Sequence, residues 1–129
     1  MYHEHLCIRY LQYLYLNPHG TSTKINDKVE SISIQEVFKN RKGGLPPVSS
    51  NKSMIGHTLG AAGAIEAAAT VLSIYYGVLT PTINYETKDS DCDLNIVANE
   101  ARDSKIKAAI SNSFGFGGQN GVLVFSKFN

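Results

Sequence analysis

From Ala61 to Leu79 the chain carries one charge, Glu66, in a run dominated by alanine, glycine and medium-sized apolar residues. A helix that is apolar all round has no face suited to water and must be covered by other structure. Lys52-Ser53-Met54-Ile55-Gly56-His57 stands just ahead of the run, so a lysine and a histidine lie at the mouth of a buried helix. The run is long enough to raise the question of a membrane span. Alanine and glycine give little transfer energy, and Glu66 near the centre would cost ~2.5–3.5 kcal/mol, so a core helix is expected. Gly77 offers its C-cap.

The rest of the 129-residue chain must cover that helix. Tyr10–Leu16 reads as a short strand, stopped by Asn17-Pro18-His19-Gly20. Asn26 or Asp27 caps a first helix, with Glu30 at capping-box spacing from Asp27. Its apolar face is expected at Val29, Ile32 and Val37, and less neatly Ile34 and Phe38, ending by Lys39-Asn40-Arg41. Val48-Ser49-Ser50 is a brief strand before the central helix, and Leu94–Val97, Ile106–Ser111 and Gly121–Ser126 are further strands. The order strand, helix, strand, helix, strands predicts a layered α/β fold with a partly parallel sheet. Two helices and a few short strands can hardly enclose the central helix, so the chain reads as half of a larger unit.

Composition excludes several classes. The formal net charge of +1 gives no basis for binding nucleic acid or an acidic membrane. Cys7 and Cys92 are too few for a disulfide framework and have no metal-ligand spacing. Cys92 sits between Asp91 and Asp93, which would suppress its thiolate. His3-Glu4-His5 is the one chelating pattern, and it falls in a terminal segment that lacks the features of a signal peptide.

Two histidines are candidates for chemistry. His19 follows a strand, where open α/β sheets gather their sites, although a turn histidine among capping hydroxyls fits the same residues. A positive helix end would keep His57 neutral, able to donate to a developing oxyanion. A backbone-satisfied histidine is the plainer reading of His57, and a solvated side chain that of Lys52. Sequence leaves open whether Glu30 pairs with Lys52. Phe114-Gly115-Phe116-Gly117-Gly118 fails the dinucleotide fingerprint, because a strand follows it. It suggests aromatic side chains on a bending backbone beside an apolar ligand, or a tight hairpin.

His19-Gly20-Thr21-Ser22-Thr23, Ser49-Ser50-Asn51-Lys52-Ser53-Met54-Ile55-Gly56-His57, Gly60-Ala61-Ala62-Gly63-Ala64, Pro81-Thr82-Ile83-Asn84 and Asn112-Ser113-Phe114-Gly115-Phe116-Gly117-Gly118 occur in one order. Together they resemble the C-terminal part of a β-ketoacyl-acyl-carrier-protein synthase, the elongating condensing enzyme of fatty-acid synthesis. The resemblance covers residues 16–129 and leaves residues 1–15 as an unmatched N-terminal segment. It implies a thiolase-like fold of two α/β halves, of which this chain is the second, with a mixed sheet and a buried central helix. It implies a decarboxylating Claisen condensation of an acyl thioester with malonyl-acyl-carrier protein. His19, His57 and Lys52 then look like catalytic residues. Glu30 looks like the acidic partner of Lys52, and Thr21 and Thr23 like hydroxyls for the phosphopantetheine arm. Phe114 looks like a gating aromatic and Phe116 its companion. No metal and no cofactor of its own is implied, since phosphopantetheine arrives on the acyl carrier protein.

The family's nucleophilic cysteine matches neither Cys7 nor Cys92, and Pro18 stands where alanine is usual. An unrelated N-terminus joined to an intact motif is expected of a truncated, split or misassembled reading frame. Condensation would need an N-terminal half, in a homodimer or in a complex with another chain. The alternatives are a non-catalytic remnant or partner subunit, and a small acyl-binding domain. The expected compartment is the cytoplasm in a bacterium, or the plastid or mitochondrial matrix in a eukaryote.

Overall fold

A computed structural model describes residues 11–128. A 3₁₀ turn, Leu11–Tyr13, leads into β1, Leu14–Asn17. There follow α1 (Lys24–Phe38), β2 (Pro47–Val48), the one-turn α2 (Lys52–Ile55), a second 3₁₀ turn (Leu59–Ala61) and α3 (Ala62–Tyr76). The chain ends with β3 (Val78–Leu79), β4 (Asn95–Ile96), β5 (Arg102–Asp103), β6 (Ala108–Phe114) and β7 (Asn120–Ser126). The expected Tyr10–Leu16 strand therefore begins at Leu14, and Tyr10 lies outside the described residues.

The main sheet has the order β4-β2-β1-β6-β7, parallel except for the β6–β7 hairpin. β3 and β5, too short to carry a signal in sequence, pair separately as an antiparallel ladder. β1 is central and buried at every position, as a strand covered on both faces must be. Side-chain alternation splits its contacts. Leu14 and Leu16 pack with Ile34, Phe38, Val48 and Ala108 on the α1 side. Tyr15 packs with Ile74, Leu79, Val97, Ile106 and Ala109 on the α3 side.

Both helices differ from expectation in which face they bury. α1 starts at Lys24, capped by the Thr23 hydroxyl, which accepts from the Asn26 amide at 3.4 Å. It buries Glu30, Ser31, Ile34 and Phe38, while Val29, Ile32 and Val37 are exposed. The reason is Glu30, whose backbone-binding role turns the Ile34–Phe38 side to the sheet. α3 is likewise covered along one stripe, Ala62, Glu66, Thr70, Ser73 and Ile74, and open at Ile65, Val71, Leu72, Tyr75 and Tyr76. The helix expected to be enclosed is thus buried on its more polar side within this chain. Small residues do bring it close to the sheet: a Cβ on Gly63 would lie 3.3 Å from Ser113 Oγ. Leu59–Tyr76 is long and apolar enough by length and composition to cross a membrane. Its one carboxylate, Glu66, turns inward to a protein cation, as in a core helix.

Candidate active site

The Lys52–His57 stretch does not continue into α3. Gly56, at φ 75°, ends α2 by donating its N–H to the Lys52 carbonyl at 2.9 Å. A left-handed turn of this kind is inexpensive for glycine. His57 therefore sits in a connection, five residues ahead of the start of α3, and the helix-end argument for its neutrality does not apply. Its ring is exposed, and its Nδ1 accepts the Leu59 amide at 3.1 Å. Leu59 is 77% exposed and holds φ 52°, left-handed backbone unfavourable for a leucine, to deliver that N–H. With Nδ1 as acceptor, the neutral ring carries its proton on Nε2.

His19 lies beyond the end of β1, 8% exposed. Its ring centroid is 5.5 Å from that of His57, edge to face, and 5.4 Å from that of Phe114. Burial holds the His19 imidazole below its ordinary pKa of 6.5, and the positive charge of Lys52 acts in the same direction. Nδ1 of His19 is buried and has no hydrogen-bond partner among the described residues.

Glu30 anchors this loop. One oxygen accepts the His19 amide at 2.9 Å and the Asn112 side-chain amide at 3.1 Å. The other accepts the Gly20 amide at 2.9 Å and Asn26 Nδ2 at 3.4 Å. Its expected pairing with Lys52 is corrected: Lys52 Nζ lies 2.5 Å from Glu66 Oε1, with both side chains buried. Two successive backbone N–H groups already occupy Glu30, and the inward face of α3 presents the nearer carboxylate. Glu66 was discernible as the one charge in a 19-residue apolar run, since such a carboxylate requires a buried cation. Asn17, Asn51, Tyr15 and Thr80, which complete the polar network under Lys52, gave no comparable signal.

The phenylalanines part company. Phe114 is half-buried beside His19, whereas Phe116 is fully exposed in the hairpin turn and is no companion to it among the described residues. The Thr21 and Thr23 hydroxyls lie 3.0 Å apart at the rim, with Thr23 also serving as the α1 cap. A cleft of about 640 Å³ is lined by Thr21, Glu30, Lys52 and His57, together with Ile34 and Cys92. Burial, then the negative charges of Asp89, Asp27 and Asp91, push the Cys92 thiol up, which opposes a nucleophilic role. Among the described residues no group of three or more His, Cys, Asp or Glu can hold a metal ion. Cys7 and His3-Glu4-His5 lie outside them.

A parallel-dominated α/β sheet thus carries two histidines edge to face beyond its strand ends, with a buried Lys–Glu pair close by. Residues 6–86 match the family described as Beta-ketoacyl synthase, C-terminal domain, so the match begins within the segment set apart at residues 1–15. The chain belongs to the β-ketoacyl synthase family and carries its C-terminal domain. It is 52% identical over 113 residues to 3-oxoacyl-[acyl-carrier-protein] synthase 2 of Coxiella burnetii, covering 88% of this chain and 27% of that protein. It is 52% identical over 120 residues to a putative mitochondrial 3-oxoacyl-[acyl-carrier-protein] synthase of Schizosaccharomyces pombe, covering 88% of this chain and 28% of that protein. Among solved structures, a type II PKS ketosynthase bound to the hexaketide, in complex with its acyl-carrier protein, superposes with a TM-score of 0.85. That match is at 42% identity and covers 91% of this chain and 28% of the other. The chain thus spans a little over a quarter of the length of the relatives it matches.

Proposed function

We propose that this chain supplies the two-histidine part of a 3-oxoacyl-acyl-carrier-protein synthase site. In the condensation an acyl group is held as a thioester on a nucleophilic cysteine contributed by a segment outside the described residues. Malonyl-acyl-carrier protein loses carbon dioxide, and the electron pair of the broken C–C bond passes into an enolate. The carbanion attacks the acyl carbonyl, the cysteine thiolate leaves, and 3-oxoacyl-carrier protein results.

The observation that carries this reading is the edge-to-face approach of His19 and His57 at 5.5 Å, one ring held neutral by burial and the other with its proton directed to Nε2. Two N–H donors brought to one oxygen would stabilise the enolate as charge develops. Lys52 adds positive charge that favours the anion and keeps His19 neutral. Thr21 and Thr23 would receive the phosphopantetheine arm at the rim, and Phe114 would shield the reacting carbon from water. The chain needs no cofactor of its own for this chemistry. Its partners are acyl and malonyl carrier protein and an N-terminal synthase half, in a homodimer or a mixed complex. Its compartment is the cytoplasm or an organelle matrix, in keeping with the bacterial and mitochondrial relatives.

The test is a condensation assay with acyl- and malonyl-carrier protein, comparing the chain alone with the chain plus a supplied N-terminal half. Activity in the mixture alone is expected. No activity from soluble mixed protein would favour a non-catalytic partner subunit, and activity from the chain alone would return attention to Cys92 and Cys7.

A further inference from the structure

We infer that Asn17 is a positioning residue for the Lys52–Glu66 pair, setting the place of the Lys52 ammonium beneath the two histidines. Asn17 is the last residue of β1 and is fully buried. Its side chain reaches three other segments. Nδ2 donates to Glu66 Oε2 and to Ser111 Oγ, each at 3.3 Å, and Oδ1 accepts the Asn51 amide at 3.2 Å.

A buried ion pair is favourable only when the remaining lone pairs and protons are also satisfied. Glu66 gives one oxygen to Lys52, and Asn17 supplies the hydrogen bond to the other. Lys52 opens a four-residue helix, too short to fix its own direction. The amide just before it is the one Asn17 accepts. The Asn51 side chain does not cap this helix. It accepts from Thr80 Oγ1 at 2.7 Å, and Thr80 is joined at 3.1 Å to the buried Tyr15 hydroxyl. The Asn51 backbone is thereby braced from both sides. An amide suits position 17 because it donates to a carboxylate and accepts from a backbone N–H through two separate atoms. Aspartate would set a second carboxylate against Glu66, and leucine would orphan both groups.

This inference rests on the reading above only for the role of Lys52, and its test reads the ammonium rather than condensation. The full chain is reductively methylated with formaldehyde and cyanoborohydride, and each lysine is followed by mass spectrometry. The exposed Lys24, Lys28 and Lys39 serve as references. Asn17→Ala is expected to raise the Lys52 rate roughly tenfold relative to them, as the loss of a hydrogen bond to a buried charge implies. Their mutual ratios should hold. Asn17→Asp keeps the shape but removes the donor to Glu66, and should likewise expose Lys52, whereas Ser111→Ala, which takes away only the third partner of Asn17, should leave Lys52 protected. Unchanged protection in a helical Asn17→Ala variant overturns the inference. Should that variant lose its helical circular dichroism, Asn17→Asp decides: a helical variant with faster Lys52 methylation supports the inference, and unchanged protection or unfolding overturns it. Condensation can fail in the mixed assay while this result stands, and the reverse.

Discussion

Glu30 grips His19 by the backbone: its Oε1 lies 2.9 Å from the His19 nitrogen, and its Oε2 lies 2.9 Å from the nitrogen of Gly20. The carboxylate is 4% exposed, so its removal leaves N–H groups in a place that water reaches poorly. Glu30→Ala is expected to lower stability by about 3 kcal/mol, and Glu30→Gln by less, since one acceptor oxygen remains. Denaturant titration of the two variants checks the order. Equal stabilities would mean that water replaces the carboxylate.

Gly20 has φ 45°, and a Cβ there would stand 2.8 Å from both Cβ and Oγ of Ser50. That serine donates to the Gly20 carbonyl at 2.7 Å. Gly20→Ala should therefore force the histidine loop away from the α2 turn, costing about 1–3 kcal/mol. A shift of the His19 ring proton signals, with a lowered melting temperature, is the expected readout.

The depressed pKa of His19 makes a pH prediction with a definite sign. Burial is the main cause and Lys52 the second. The unfolded ring binds its proton near pH 6.5 and the folded ring only below that. The unfolded state thus holds more protons in the interval between the two values. The stabilisation is present above pH 6.5 and is lost as pH falls through the folded value. Proton NMR titration of the His19 ring should place its midpoint below 6.5, and Lys52→Met should move it upward.

His57 depends on a strained neighbour. Leu59→Gly keeps the N–H that Nδ1 accepts and removes the left-handed strain of a largely exposed side chain. Its stability should be unchanged or higher by up to ~1 kcal/mol, with condensation in the mixed assay preserved. Leu59→Ile, branched at Cβ, should be less stable. His57→Ala should lower turnover in the mixture by roughly 10²–10³, the range for loss of one oxyanion donor.

The exposed apolar faces predict association of the chain by itself. Ile25, Val29, Ile32 and Val37 on α1, and Leu72, Tyr75 and Tyr76 on α3, are all more than half exposed. Patches of this kind bind other apolar surface. Sedimentation should show concentration-dependent oligomers and dye binding, both reduced by Ile25→Lys with Val37→Lys. A dye-silent monomer at high concentration would contradict this.

Local chemistry wrote several parts of the protein directly into the sequence: the alternation of elements, the C-cap at Gly77, the strand expected at residues 121–126 and the loop that presents His19. These depend on propensities and turn residues that act over a few positions. Which side of each helix is buried was decided elsewhere. Val29, Ile32 and Val37 are as apolar as any core, yet the carboxylate of Glu30, needed by two backbone amides, turned α1 to place Ile34 and Phe38 inward. Lys52 found Glu66 across 14 residues of sequence because the inward face of α3 presents that carboxylate, whereas Glu30 was already occupied. The meeting of His19, His57 and Phe114 joins three segments separated by 38 and 57 residues. Their types and turns are local and can be read along the chain. Their convergence follows from parallel strand pairing and buried charge, which exist only once the sheet has formed.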